Sequence, residues 1–370
     1  MKHMPSLYIH IPFCERKCLF CSFVVSIGQE QRIDQYLKCL KQEAQKHAGT
    51  EVQTIYVGGG TPSLLNTAQL AELSSIIREN FHFKNDTEMT MEANPENIDP
   101  AKGKLLLDLG FNRISLGVQS LNDRYLKMLG RCHDSARARS TFKDLRKMGW
   151  KNVSLDLMYA FPEQTEEELK DDVRAIASLE SEHLSIYSLT IEEPSRFYVQ
   201  SVRGSDDWMQ ADFYQIVSEG AGRFGFKQYE ISNFAKLGKE SLHNRNYWLG
   251  GNYIGLGVGA HGHRNGRRFW NVARLMEYIN RIEENKPVEA GEEILNTRQQ
   301  FIERLLFGLR MNEGVNLNQL QQEWNCSLDQ QRTESIHRFV EQGFLVWEQN
   351  ILKATRAGQL VLDELCARLV

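Results

Sequence analysis

The chain has 370 residues, room for two or three domains or for one barrel with an appendage, and its 41% hydrophobic and 25% charged residues can build a sizeable core. With 44 Lys plus Arg against 48 Asp plus Glu the formal net charge is −4, which argues against a strongly basic nucleic-acid binder. Mean hydropathy is −0.45, and no apolar run reaches the about 20 residues of a membrane span or the apolar core of a signal peptide, so a soluble cytoplasmic protein is expected.

Taken in chain order, strand-like runs fall at Ser6–Phe13, Thr54–Val57, Glu88–Glu92, Arg113–Val118, Asn152–Met158 and His183–Thr190. Segments of helical period lie between them, such as Leu70, Leu73, Ile77 and Phe81, or Leu169, Val173, Ile176 and Leu179. Thr165 followed by Glu166, Glu167 and Glu168 supplies a hydroxyl cap and acids near the positive end of a helix dipole. Strands alternating with helices imply a parallel sheet, because parallel neighbours need crossovers. The strand runs end in IPFC, GGGTP, EANPE, GVQS, DLMYAFP and SLTIEEP, so polar residues, glycines and prolines collect at carboxyl ends, where β/α barrels carry their sites. Six strands fall short of a full barrel. The expected fold is α/β, a partial (β/α)6 barrel with a lateral mouth, followed by a C-terminal module.

From Phe197 to Lys286 the alternation loosens into a stretch rich in Gly, Asn, His and aromatics, including HNRNYWLGGNYIGLGVGAHGH. Beyond Asn296 the chain turns helical at Phe301, Leu305, Leu306 and Leu309, then over Leu317–Trp324 and Gln331–Gln342; a hairpin, FLVWEQNILKATRAG, and a last helix follow. Helices followed by a β-wing suggest a winged-helix-like α+β module. The expected divisions are 1–196 for the barrel core, 197–294 for an associated extension and 295–370 for the winged module. Glu334, Glu341 and Glu348 interleave with Arg332, His337 and Arg338 there, so no basic stripe forms and nucleic acid is not an expected partner.

Three of the seven cysteines fall within eight residues, as Cys14-x3-Cys18-x2-Cys21. An odd count in a cytosolic-looking chain argues against a disulfide framework and for a metal or redox site. One loop of this spacing can bind three irons of a cubane through thiolates and leave the fourth open to a small chelating ligand. A structural zinc would need a fourth protein ligand, for which His3 and His10 are the nearby residues.

With GGGTP after the second strand, this loop resembles the radical S-adenosylmethionine superfamily. YIHIPFC, GGGTPS, EANPE, GVQS, LGR-x-H and DLMYAFP resemble more closely its coproporphyrinogen oxidase-like branch. The likeness implies a 4Fe–4S cluster on Cys14, Cys18 and Cys21 and a binding site for S-adenosylmethionine. Tyr8 and the Phe20 beside the third thiol would face the cofactor. Gly59, Gly60 and Thr61 would let backbone approach its methionine end, with Glu92 in the same region. Gln119 and Asp156 would bond its ribose, Arg131 would pair its carboxylate through a bidentate fork, and Thr190 would lie near its adenine.

Two subfamilies share this toolkit. The oxidase decarboxylates a porphyrinogen, carries a fourth cysteine where this chain has Phe23, and has an extension ahead of the barrel where this chain already has its first ligand. The HemW heme-chaperone subfamily is marked by H-N-x-x-Y-W, matched here by His243, Asn244, Tyr247 and Trp248. Imidazole is a common axial ligand of heme iron, and the two aromatic side chains offer flat apolar area to a macrocycle; His261 and His263 are further candidate ligands. The expected function is therefore a heme chaperone with cluster and S-adenosylmethionine, rather than an oxygen-independent coproporphyrinogen III oxidase in porphyrin biosynthesis. No catalytic residue is assigned. The resemblance implies heme and a membrane-associated heme-acceptor protein as partners and leaves room for a homodimer.

Overall fold

The apolar runs become six parallel strands that lie side by side in chain order: β1 (Ser6–Ile11), β2 (Thr54–Gly59), β3 (Glu88–Ala93), β4 (Arg113–Gln119), β5 (Val153–Tyr159) and β6 (His183–Ser188). Their arrangement is that of a computed structural model describing residues 4–370, so His3 lies outside the described residues. Crossovers carry α1 (Ile33–Gln45), α2 (Thr67–Asn80), α3 (Pro100–Asp108), α4 (Asp123–Leu129), α5 (Ser135–Met148) and α6 (Glu166–Ala177). Thr165 is the N-cap of α6: its side chain accepts from the Glu168 N–H while Glu168 reaches back, a reciprocal capping box. The strands are buried on both faces, as parallel strands under helices must be.

Two strands stop short of their apolar runs. β1 ends at Ile11 because Pro12 has no N–H to donate; Phe13–Cys14 then pairs separately with Ser26–Ile27. β6 ends at Ser188, which leaves Thr190 exposed beyond it.

The loosely patterned segment extends the sheet at both edges. After α7 (Asp207–Arg223), β7 (Lys227–Gln228) and β8 (Asn233–Ala235) add antiparallel strands beside β6. After α8 (Leu242–Trp248), β9 (Tyr253–Leu256) pairs in parallel with β1 on the opposite edge, and β10 (His261–Arg264), β11 (Arg267–Asn271) and β12 (Glu289–Ile294) continue antiparallel. The resulting 12-stranded sheet has β7 and β12 as its ends, so the barrel is open.

The last segment has its own core, with Phe301, Leu305, Leu309, Ile336, Phe339, Leu345 and Leu352 packed together. It comprises α9 (Thr297–Leu309), β13 (Val315–Asn316), α10 (Leu317–Trp324), α11 (Gln330–Glu341) and the hairpin β14 (Leu345–Glu348) and β15 (Ile351–Ala354). Gln349 and Asn350 turn that hairpin with φ of 48° and 72°, the left-handed pair that matches strand twist. Helices plus wing give the winged-helix-like module expected.

Candidate functional site

The carboxyl ends of the strands bring the thiol loop against three neighbouring loops. Cys14 is buried and Cys18 and Cys21 are half-buried, with the Cys21 N–H donating to the Cys18 carbonyl at 3.2 Å. Thr61 Oγ1 donates to Cys14 Sγ and Arg131 Nη1 to Cys18 Sγ, both at 3.3 Å. Arg131 Nη2 is fixed by Asn94 Oδ1 at 2.6 Å and the Gly117 carbonyl at 3.1 Å, while its Nε is buried without a partner. Asn94 also donates to Thr61 Oγ1 at 3.3 Å, so the two residues that touch sulfur are cross-linked. A Cβ on Gly60 would stand 2.7 Å from the Phe13 carbonyl and 2.9 Å from Cys14 Sγ, so this close approach requires glycine. Burial pushes the Cys14 thiol up to about 11, and the Thr61 hydrogen bond offsets only part of that, so metal binding there must expel a proton.

Among the described residues, no three His, Cys, Asp or Glu side chains are gathered closely enough to hold one metal ion, as zinc requires with thiolates about 2.3 Å from a single point. Three thiols on one loop suit a cluster, in which each ligand would bind a separate iron. Donors aimed at two of the sulfurs, an unpaired guanidinium N–H beside them and a glycine cradle fit the same group.

Beyond the glycine turn stand two half-buried acids, Glu92 and Asp156. Glu92 accepts from Tyr56 Oη at 2.7 Å and from the Gly59 N–H at 3.0 Å. Burial, with the charge of Asp156 adding to it, raises Glu92 to about 7, so a cation arriving beside it pulls it to the carboxylate form. Asp156 accepts from Ser115 Oγ at 3.0 and 3.2 Å, and burial raises it to about 6. Gln119 sits at φ 68°, a left-handed conformation costly for a side chain of this kind and concentrated at functional turns. Phe20 packs on the small core of Tyr125, Leu129 and Phe161 at the rim. Asn94, Tyr56 and His133 were not singled out by the sequence reading. His133, whose Nδ1 lies 2.8 Å from Glu96 and Nε2 3.1 Å from the Val118 carbonyl, anchors the Arg131 loop. Asn94 and His133 do fall inside motifs, EANPE and LGR-x-H; Tyr56 carries no such signal.

A cavity of ≈ 620 Å³ opens beside the acid pair, and Gly59 and Glu92 stand in its wall. Its other walls are largely aromatic: Tyr8, Phe23, Tyr247, Trp248, Tyr253 and Phe307. Tyr247 meets Tyr253 edge-on with centroids 4.7 Å apart. Trp248 is held by the C-terminal module, edge-on to Phe307 at 6.1 Å, beneath the Arg310 guanidinium at 4.9 Å, and through its carbonyl by Arg304 Nη1 at 3.4 Å. The cavity therefore lies between barrel and module.

α8 carries HNRNYW, and its two ends differ. Tyr247 and Trp248 face the cavity, while His243 is 1% exposed and does not line it. Its Nδ1 lies 2.8 Å from Thr54 Oγ1 and its Nε2 2.9 Å from Tyr247 Oη, at the amino ends of the strands. Glu88, which opens β3, accepts the backbone N–H groups of Leu242 and His243 at 3.1 and 3.0 Å. Burial pushes the imidazole down to about 3, so it is neutral. Asn244 contributes its backbone N–H to the Ser241 cap at 3.3 Å. Tyr247 and Trp248 thus stand in an aromatic wall, while His243 is buried away from it.

Residues 8–176 match the Radical SAM superfamily and residues 295–361 the HemN C-terminal domain. Fold and thiol loop thus define a radical S-adenosylmethionine barrel with a HemN-type C-terminal module, a class that implies a 4Fe–4S cluster and S-adenosylmethionine. The solved coproporphyrinogen III oxidase HemN from Escherichia coli superimposes with a TM-score of 0.88 over 100% of this chain and 91% of its own; at 24% identity it shows the fold alone. The heme chaperone HemW of Bacillus subtilis is 36% identical over 98% of both chains, and that of Lactococcus lactis 35% identical over 95% of this chain and 94% of its own. The chain belongs to the HemW family.

Proposed function

We propose that this protein is a heme chaperone: it carries a 4Fe–4S cluster and S-adenosylmethionine at the thiol loop, binds heme in the neighbouring aromatic cavity and passes it to an acceptor protein. When bound, the cluster would supply one-electron chemistry to S-adenosylmethionine. The chain's own residues hold and shield. Cys14, Cys18 and Cys21 ligate the cluster, with Thr61 and Arg131 donating to two of the sulfurs. Gly59, Gly60 and Glu92 receive the ammonium end of the cofactor, Arg131 Nε its carboxylate, and Gln119 and Asp156 its ribose.

The observation that carries the heme reading is the cavity. At ≈ 620 Å³ it lies within the about 300–1,000 Å³ of small-molecule sites, and its aromatic walls suit a flat apolar macrocycle. Tyr247 and Trp248 of the HNRNYW segment stand in it, and Phe23, 66% exposed, occupies the position where the oxidase branch has a cysteine. Relatives named as heme chaperones at 35–36% identity over nearly the whole chain support the same reading.

The test is an anaerobic assay of cluster-loaded protein with hemin and with coproporphyrinogen, side by side. Stable hemin binding, seen as a Soret band, and no decarboxylation are expected. Robust coproporphyrinogen turnover, or failure to bind hemin, would overturn the proposal.

A further inference from the structure

A heme cavity needs a side chain able to reach the iron, and the histidines around this one differ in what their nitrogens already do. His10 lines the wall, but its Nε2 lies 2.8 Å from the Val24 carbonyl, which can only accept, and its Nδ1 therefore takes the Tyr8 hydroxyl proton at 2.9 Å. His243 is outside the wall, and both nitrogens are within hydrogen-bonding distance of hydroxyls. His263 has its Nδ1 3.2 Å from the Gly251 carbonyl and is not in the wall.

His261 is different. It lines the cavity, is exposed, and has no side-chain hydrogen bond among the described residues. Its backbone is held in β10, paired with Trp270 of β11, and the Trp270 indole lies against the imidazole with centroids 5.9 Å apart and planes 27° apart. Stacking fixes the plane of the ring and leaves its nitrogen edge free. Gly255 keeps this strand close, since a Cβ there would stand 1.9 Å from the His261 carbonyl. A neutral, oriented and unpaired imidazole on an apolar wall is what axial ligation of a heme iron requires.

We propose that His261 is the axial ligand of heme iron in this cavity and that His243 is a structural plug of the barrel floor. The proposal rests on the heme-binding reading above and specifies its ligand. The Tyr247 hydroxyl ties the plug to the aromatic wall, so His243 influences the cavity only through packing.

The experiment uses the full, cluster-loaded chain with one equivalent of hemin. It reads the iron–imidazole stretching band of the reduced heme by resonance Raman and the ferric heme signal by electron paramagnetic resonance, both distinct from the cluster. His261→Gly is expected to lose the imidazole band and to regain it when free imidazole is added. His243→Gln and His263→Gln are expected to keep it. An unchanged band in His261→Gly, or its loss in His243→Gln with a folded protein by circular dichroism, would overturn the ligand assignment alone. No hemin binding by the wild type would overturn the heme reading, and this assignment with it.

Discussion

The two ends of the barrel are both polar, but their polar groups are in opposite states. At the amino end many are paired with one another: Thr54 bridges Ser6 at 2.7 Å and His243 at 2.8 Å, and Glu88 closes the start of α8. At the carboxyl end they are left incomplete, with an Arg131 Nε unpaired among the described residues, a glycine against a sulfur and two half-buried acids raised toward neutrality. A completed network fixes a fold, whereas an incomplete one awaits a ligand. The floor has exceptions among the described residues: Arg113 is fully buried with Nε and Nη2 unpaired, and Thr90 Oγ1 and Asn152 Oδ1 are also buried without a partner; the Arg113 charge adds to the burial that holds His243 and His183 neutral.

Substitutions at the two ends should separate accordingly. The largest effect is expected at the thiols: Cys14, Cys18 and Cys21 changed together to Ser should abolish the visible absorption of the reconstituted cluster, while Cys132→Ser, at an exposed position, and Cys366→Ser, in the C-terminal core, should leave it intact. Arg131→Ala comes next. Losing a charged hydrogen-bonding group costs roughly 1.5–3 kcal/mol, so S-adenosylmethionine should perturb the reduced cluster's paramagnetic resonance signal only at roughly tenfold to hundredfold higher concentration. Glu92→Ala should shift the same titration in the same direction.

Changes at the floor should act on stability instead. Glu88→Gln replaces a charged acceptor of two N–H groups and should cost about 1–3 kcal/mol in urea denaturation, with the cluster spectrum unchanged. The floor also predicts an acid limb. With the folded pKa of His243 at about 3 and the ordinary histidine value near 6.5, the unfolded chain takes up the proton first as pH falls. Stability should therefore drop by about 2 kcal/mol from this group between pH 7 and pH 5, with His183 acting in the same direction. Glu92 and Asp156, raised to about 7 and about 6, act oppositely: their contribution is present at low pH and is lost as pH rises through those values. Comparing wild type with His243→Gln at pH 7 and pH 5 isolates the histidine, and equal pH dependence in both would contradict its neutral burial.

The carboxyl end was largely legible from the sequence because its signals are local. The cysteine spacing, the GGGTP turn and the Thr165 cap each lie within a few residues and kept their expected places. The end of β6 was not, since nothing local shows that the strand stops at Ser188, two residues short of Thr190. The added strands escaped for a different reason: β10 reads HGHR and β7 has two residues, so neither shows apolar alternation, and their pairing comes from partners far along the chain. The same distance hid the division of HNRNYW. Whether His243 faces solvent depends on Thr54 and Glu88, and the cavity wall draws Phe23, Tyr253 and Phe307 from three separate regions.

The central claim, that heme occupies the aromatic cavity while the floor around His243 is structural, is tested most directly by hemin titration of cluster-loaded wild type, Phe23→Asp and Thr54→Val. Phe23 is 66% exposed, so its replacement leaves the fold intact while placing a charge on the apolar wall. The account predicts one hemin per chain for the wild type, clearly weaker binding by Phe23→Asp, and wild-type affinity in a less stable Thr54→Val. Undiminished binding by Phe23→Asp together with loss in a folded Thr54→Val would contradict it.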